Sequence, residues 1–109
     1  MNFQERRVAR YFAELVLRDP DLSITVRGED EEDDLSRSRS RRDVVDAMGW
    51  CDYCMVGVFS ESRNKPVAWF QFVLGNVTDH EDRMDFICDY SANEYADGLH
   101  HKLTYVTEM

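Results

Sequence analysis

Glycine, proline, cysteine and histidine are all scarce in this chain, and each scarcity closes off a class of chemistry. The 109 residues hold five Gly, two Pro, three Cys and three His. The glycines are isolated from one another, so no glycine-rich loop is present to cradle a phosphate. No Gly-x-Ser-x-Gly elbow presents a nucleophilic serine. Three cysteines, an odd number, in a chain whose first 20 residues lack the apolar segment of a signal peptide, point to reduced thiols rather than a disulfide framework. Apolar runs long enough to span a bilayer are missing too. Together these absences predict a cytoplasmic protein with no membrane association and no cofactor.

Positive charge is also in short supply: 13 Lys and Arg stand against 22 Asp and Glu, for a net charge of −9. A surface of that sign repels phosphate backbones and anionic lipid, which disfavours direct nucleic-acid or membrane binding. The acidity is unevenly spread. Residues 76–97 carry seven acids against one arginine, and Glu29 to Asp34 are six adjacent carboxylates.

The chain is well supplied with what a core needs. It is 43% hydrophobic and 12% aromatic, enough for one folded domain over residues 1–109. The stretch Val67 to Leu74, VAWFQFVL, lies between Pro66 and Gly75-Asn76 and is too short for a buried helix, so it is expected to be a buried, central strand. Val8, Tyr11, Phe12, Leu15 and Val16 recur at helical spacing and predict a helix over residues 1–19, opened by Asn2 and Glu5 and closed at Asp19-Pro20; Glu5, Arg6, Arg10 and Glu14 fall off that face. Leu22 to Val26 alternates as a half-buried strand. Residues 29–42 form a charged hairpin or loop segment, in which Arg37, Arg39 and Arg41 would share one face with the acidic run near enough to neutralise them. Ser40 and Asp43 cap a second helix that ends at Gly49. Tyr53 to Phe59 and the strand after Pro66 flank the polar turn SESRNK as an antiparallel hairpin. Met84 to Tyr90 reads as the last strand, and Ser91 with Glu94 starts a helix that Gly98 should interrupt.

The expected fold is therefore a single small α+β domain in the order α-β-β-α-β-β-β-α. Its sheet is mainly antiparallel, with four or five strands and helices packed on one face. The expected core is Phe12, Leu15, Ile24, Val45, Met48, Val56, Val58, Trp69, Phe70, Phe72, Leu74, Phe86 and Ile87.

Several constellations could carry chemistry. Cys51 and Cys54 have the spacing of a redox pair, but they follow a helix C-terminus, where the dipole does not favour a thiolate. With Cys88 and one of His80, His100 or His101 they would supply the donor types of a tetrahedral zinc site. The acidic run has hard oxygen donors suited to calcium, without the spacing or internal glycine of an EF-hand. Asp85 and Asp89 lie about 13 Å apart if both sit on one strand, too far to act on the same substrate atom. Solvated acids and compact buried thiols are the plainer reading of all of these.

From Ile24 onward the landmarks resemble a group of small, uncharacterised proteins encoded by bacteriophages and other mobile elements. The matching residues are Ile24 to Val26, the acidic turn Glu29 to Asp34, Asp43 to Gly49, Trp69 to Asn76, and Asp89-Tyr90-Ser91-Ala92-Asn93, within about 70 residues of the 109. The Cys51/Cys54 pair and the helical N-terminal extension depart from that pattern. The resemblance implies a small α+β domain of phage or prophage origin and brings no catalytic residues with it. Joined to the charge distribution, it gives the expectation of a non-enzymatic protein that binds and modulates a host protein, including one that binds nucleic acid, by presenting carboxylates to a basic surface. The expected contact residues are Asp79, Glu81, Asp82 and Asp85, with Glu29, Asp30, Glu31 and Glu32 second. The alternative is a small metal-binding or thiol-dependent module using Cys51, Cys54, Cys88 and His80. An open sheet edge would also admit a homodimer.

Overall fold

The computed structural model describes residues 3–28, 32–49, 53–73 and 87–108, with side chains for 5–28, 32–49, 53–73 and 87–103. Three helices and five strands follow in the expected order: α1 (Phe3–Leu17), β1 (Leu22–Arg27), β2 (Asp33–Ser38), α2 (Arg41–Gly49), β3 (Tyr53–Ser60), β4 (Lys65–Val73), β5 (Ile87–Tyr90) and α3 (Glu94–Glu108). The strands form one sheet in the order β2-β1-β3-β4-β5, and every neighbouring pair is antiparallel. The helices lie on one face of it, with α1 packed between α2 and α3.

That one-sided layer explains which residues are buried. Val8, Ala9, Phe12, Ala13 and Val16 form the inward stripe of α1. Phe12 reaches the sheet edge-on to both Phe70 and Phe72, with ring centroids 5.1 Å apart in each case. Ile24, Val26, Cys54, Val56, Val58, Ala68, Phe70 and Phe72 meet it from the strands, and Val44, Val45, Met48, Ala96, Leu99 and Leu103 close the two ends. Glu5 was expected on the outer side of α1, yet it is buried, because residues 5, 8, 12 and 16 form one helical stripe.

Four expectations change. The centre of the sheet is β3, not the VAWFQFVL stretch, and that stretch is not buried on both sides. Ala68, Phe70 and Phe72 face the helices while Trp69 is 38% exposed on the other face, which no helix among the described residues covers. Leu15 and Ile87 are half-buried at the margin of the core; Leu74 and Phe86 lie outside the described residues. Gly98 does not break α3, which runs through it because Ala96, Leu99 and Leu103 hold both sides of the glycine against the core. The start of α3 is also shifted. Asn93, not Ser91, is the cap: its Oδ1 accepts from Ala96 N at 2.9 Å while its Nδ2 donates to Val67 O at 2.9 Å. Ser91 instead stitches β5 to β4, exchanging bonds with the Trp69 backbone at 3.0 and 3.1 Å.

Candidate functional site: an acidic groove and an open sheet face

The arginine-rich segment is structural. Arg37, Arg39 and Arg41 do not share a face opposite the acidic run. Arg37 has a φ of 46°, an uncommon left-handed conformation for a residue with a Cβ, and it sits where the β1–β2 register slips. Its amide donates to Thr25 Oγ1 at 3.0 Å, and its guanidinium forks onto Glu61 and lies 4.3 Å from the centre of the Phe59 ring. Arg39 turns back to the carbonyls of Leu17, Asp19 and Leu22, at the end of α1 and the start of β1. Arg41 pairs with Glu14 on α1. Within the acidic run, Asp33 takes the neighbouring Arg27 at 3.0 Å.

A second polar knot fastens the β3–β4 turn to the start of β1. Asp21 accepts from Ser60 Oγ at 2.6 Å, Ser62 N at 2.8 Å and Ser62 Oγ at 3.0 Å. The bond from Ser60 chiefly holds its carboxyl below the usual 3.8. Glu61 is likewise held below its ordinary 4.5, first by Arg37 and then by Ser23, whose hydroxyl donates to it at 2.7 Å.

Where α2 passes β2, a groove of about 390 Å³ is lined by Asp34, Leu35, Asp43, Asp46 and Ala47. Leu35 and Ala47 make an apolar floor, and three carboxylates stand around it. Asp43, Asp46 and Ala47 share a side of α2 because they are three and four residues apart. Asp46 also meets Arg6 at 3.8 Å, a long exposed pair worth little. The arrangement suits a long cationic side chain, whose methylene stem would cover the floor while its head meets the carboxylates.

The sheet face opposite the helices is the other feature of note. Thr25, Gly57 and Trp69 lie abreast on it, as do Arg27, Met55 and Gln71 in the next row. Tyr53 is 39% exposed there. A Cβ built on Gly57 would meet nothing within 4 Å, so the middle of this face is a notch beside the Trp69 ring.

Of the expected contact residues, only Glu32 is among those described, and it is exposed at the lip leading to β2. Glu29, Asp30, Glu31, Asp79, Glu81, Asp82 and Asp85 lie outside the described residues, as do Cys51 and His80. The other two cysteines are not brought together. Cys54 is buried beneath the helices, whereas Cys88 is exposed, 3.9 Å from the hydroxyl of Tyr53, the neighbour of Cys54 that points the other way. His100 stacks on Tyr90 at 4.7 Å. Among the described residues no group of three or more His, Cys, Asp or Glu is placed to hold a metal ion, and no helix is long and apolar enough to cross a membrane.

No family model, curated protein or solved structure matches this chain. The candidate sites therefore stand on their own chemistry. The groove was not legible in the sequence because Asp43 was already explained as a helix cap and Asp46 belonged to no motif. The available signal was their i, i+3 spacing beside Ala47, opposite a strand beginning in acids.

Proposed function

We propose that this chain is a non-enzymatic interaction protein of phage or prophage origin that acts in the host cytoplasm by binding a host protein with a basic surface. The observation that carries this reading is the groove between β2 and α2, with its apolar floor of Leu35 and Ala47 and its rim of Asp34, Asp43 and Asp46. It sets Asp34, the last acid of the run, beside Asp43 and Asp46 on a helix, so these carboxylates are held on regular structure. In a chain of net charge −9 such a rim attracts Arg and Lys over a distance and fixes the register of a partner. Carboxylates at regular spacing would also let the protein occupy the groove of a nucleic-acid-binding host protein in place of a phosphate backbone.

The test is capture of partners from the host lysate across a salt series, with the triple variant Asp34→Asn/Asp43→Asn/Asp46→Asn alongside. Partners should be released by about 0.5 M salt, where exposed charges are screened beyond a few ångströms, and by competing duplex DNA if the phosphate-mimic form is right. The triple variant should lose them while keeping its circular dichroism spectrum. Partners held equally at high salt, or held equally by the triple variant, would overturn the assignment.

A further inference from the structure

We infer that the open sheet face, centred on Gly57 and Trp69, is the interface through which two copies of this chain associate about a two-fold axis. This inference is independent of the acidic groove. Three observations carry it, beginning with charge. In a chain of net charge −9, two copies repel one another over most of their surface, and on this face two of the charges are paired within the chain, while Asp89, beside Gln71, stands at its β5 margin. Arg27 is paired with Asp33, and Arg37 with Glu61, leaving Tyr53, Met55, Phe59, Val67, Trp69 and Val73 as the ground between. A basic partner has little to gain there; a flat neutral surface of the same kind does.

The second is shape. Gly57 and Trp69 are register partners on adjacent strands, and Gly57 lies on β3, the middle strand of five. A two-fold axis passing between them places the indole of each copy above the notch of the other. An isologous contact requires that kind of self-complementarity. Sheets stacked face to face sit about 10 Å apart, a gap that an indole entering a space without a Cβ can fill.

The third is area. With the axis between β3 and β4, the overlapping strands β1, β3, β4 and β5, of six, eight, nine and four residues, at about 3.3 Å per residue and about 4.8 Å between strands, outline roughly 430 Å². Side-chain relief brings the accessible surface of such a face toward the roughly 800 Å² per partner of a standard interface.

Sedimentation equilibrium of the full chain, from micromolar to submillimolar concentration, tests the inference. A reversible dimer is expected, tighter or unchanged as salt rises, which is the opposite of the groove's salt response. Gly57→Thr fills the notch with a good strand former in open space, and Trp69→Ser removes the knob. Each should raise the dimer dissociation constant about thirtyfold, the usual scale for losing a central aromatic anchor, without altering the circular dichroism spectrum. A monomer at every concentration, or a dimer that either variant leaves intact, overturns it.

Discussion

Replacing Arg39 with alanine should unfold the protein at lower denaturant, although the residue is exposed and sits in the charged SRSRSRR tract. Its guanidinium donates to Asp19 O at 3.1 Å, to Leu17 O at 3.3 Å and to Leu22 O. Leu17 ends α1, so the positive charge sits at the negative end of a helix whose last carbonyls lack intrahelical donors. The same side chain ties that helix end to the end of β2 and the start of β1. Each bond is worth about 0.5–1 kcal/mol after exchange with water, and the three together about 2 kcal/mol. With a urea dependence of about 1.5–2 kcal/mol per molar, the midpoint should fall by about 1 M. Arg39→Lys should recover less than half, because a single ammonium cannot span three diverging carbonyls as a planar fork does. Arg42→Ala, on the exposed side of α2, should shift stability by less than about 0.5 kcal/mol. Urea titrations followed by circular dichroism report all three. An unchanged midpoint for Arg39→Ala would refute the reasoning and free the tract for another role.

Phe12→Ala removes the ring that contacts both Phe70 and Phe72 and is fully buried, so it should cost about 3–5 kcal/mol in the same assay, a large share of a small domain's stability. Stability should also fall as the solution is acidified, in two stages. Burial holds His100 below its ordinary 6.5, so the unfolded chain takes up that proton first and stability declines as pH drops past 6.5. Asp21 and Glu61, held below 3.8 and 4.5 by Ser60 and Arg37, contribute stability that is complete above those values and is lost as pH falls through their lower folded values. Thermal melts between neutral pH and pH 3 check the order, taking that range from the ordinary carboxylate and imidazole values of about 4 and 6.5; Asp21→Asn should remove part of the acid stage and leave the histidine stage in place.

The fold was legible because its signals are local. Helical spacing from Val8 to Val16, the alternation of Leu22, Ile24 and Val26, and the polar turn before Pro66 each fix an element with no knowledge of its neighbours. The unexpected features depend on tertiary context. Seven apolar residues in VAWFQFVL give no period, so the stretch cannot report that helices cover only one side of it. Gly98 carries a breaker's propensity, worth about 1 kcal/mol, and the docking of Ala96, Leu99 and Leu103 outweighs it. The arginines were opaque for a similar reason. Their partners, Glu61, Glu14 and the carbonyls near residue 20, are 17 to 27 positions away, and a left-handed residue at 37 breaks the alternation on which the expected shared face rested.

The one-sided helical layer also sets where this protein can meet others. A five-stranded sheet with three helices on one face buries its apolar residues on that side only, so the residues facing away must be made compatible with water or covered by something else. On β1 the chain takes the first course, with Thr25 and Arg27 facing out and Ser23 covered and bonded to Glu61, and on β3 and β4 it does not, placing Met55, Phe59, Val67 and Trp69 there. Arg37 shows how far local compensation extends: it leaves the strand conformation to lay its guanidinium over Phe59 and neutralise Glu61, and so shields the end of the face nearest β2. Among the described residues nothing comparable is placed over Gly57 and Trp69. The centre of the face, around Gly57 and Trp69, therefore differs from its margin, where Arg27, Arg37 and Asp89 stand, in the property that separates an interface from ordinary surface: its groups are apolar. The acidic groove lies where α2 meets β2, with Asp34, Asp43 and Asp46 around it. Neutral apolar contact on one side and a directed electrostatic one on the other would let a dimer of this chain engage two basic sites at once, and the opposite salt responses of the two contacts make them separable in one titration.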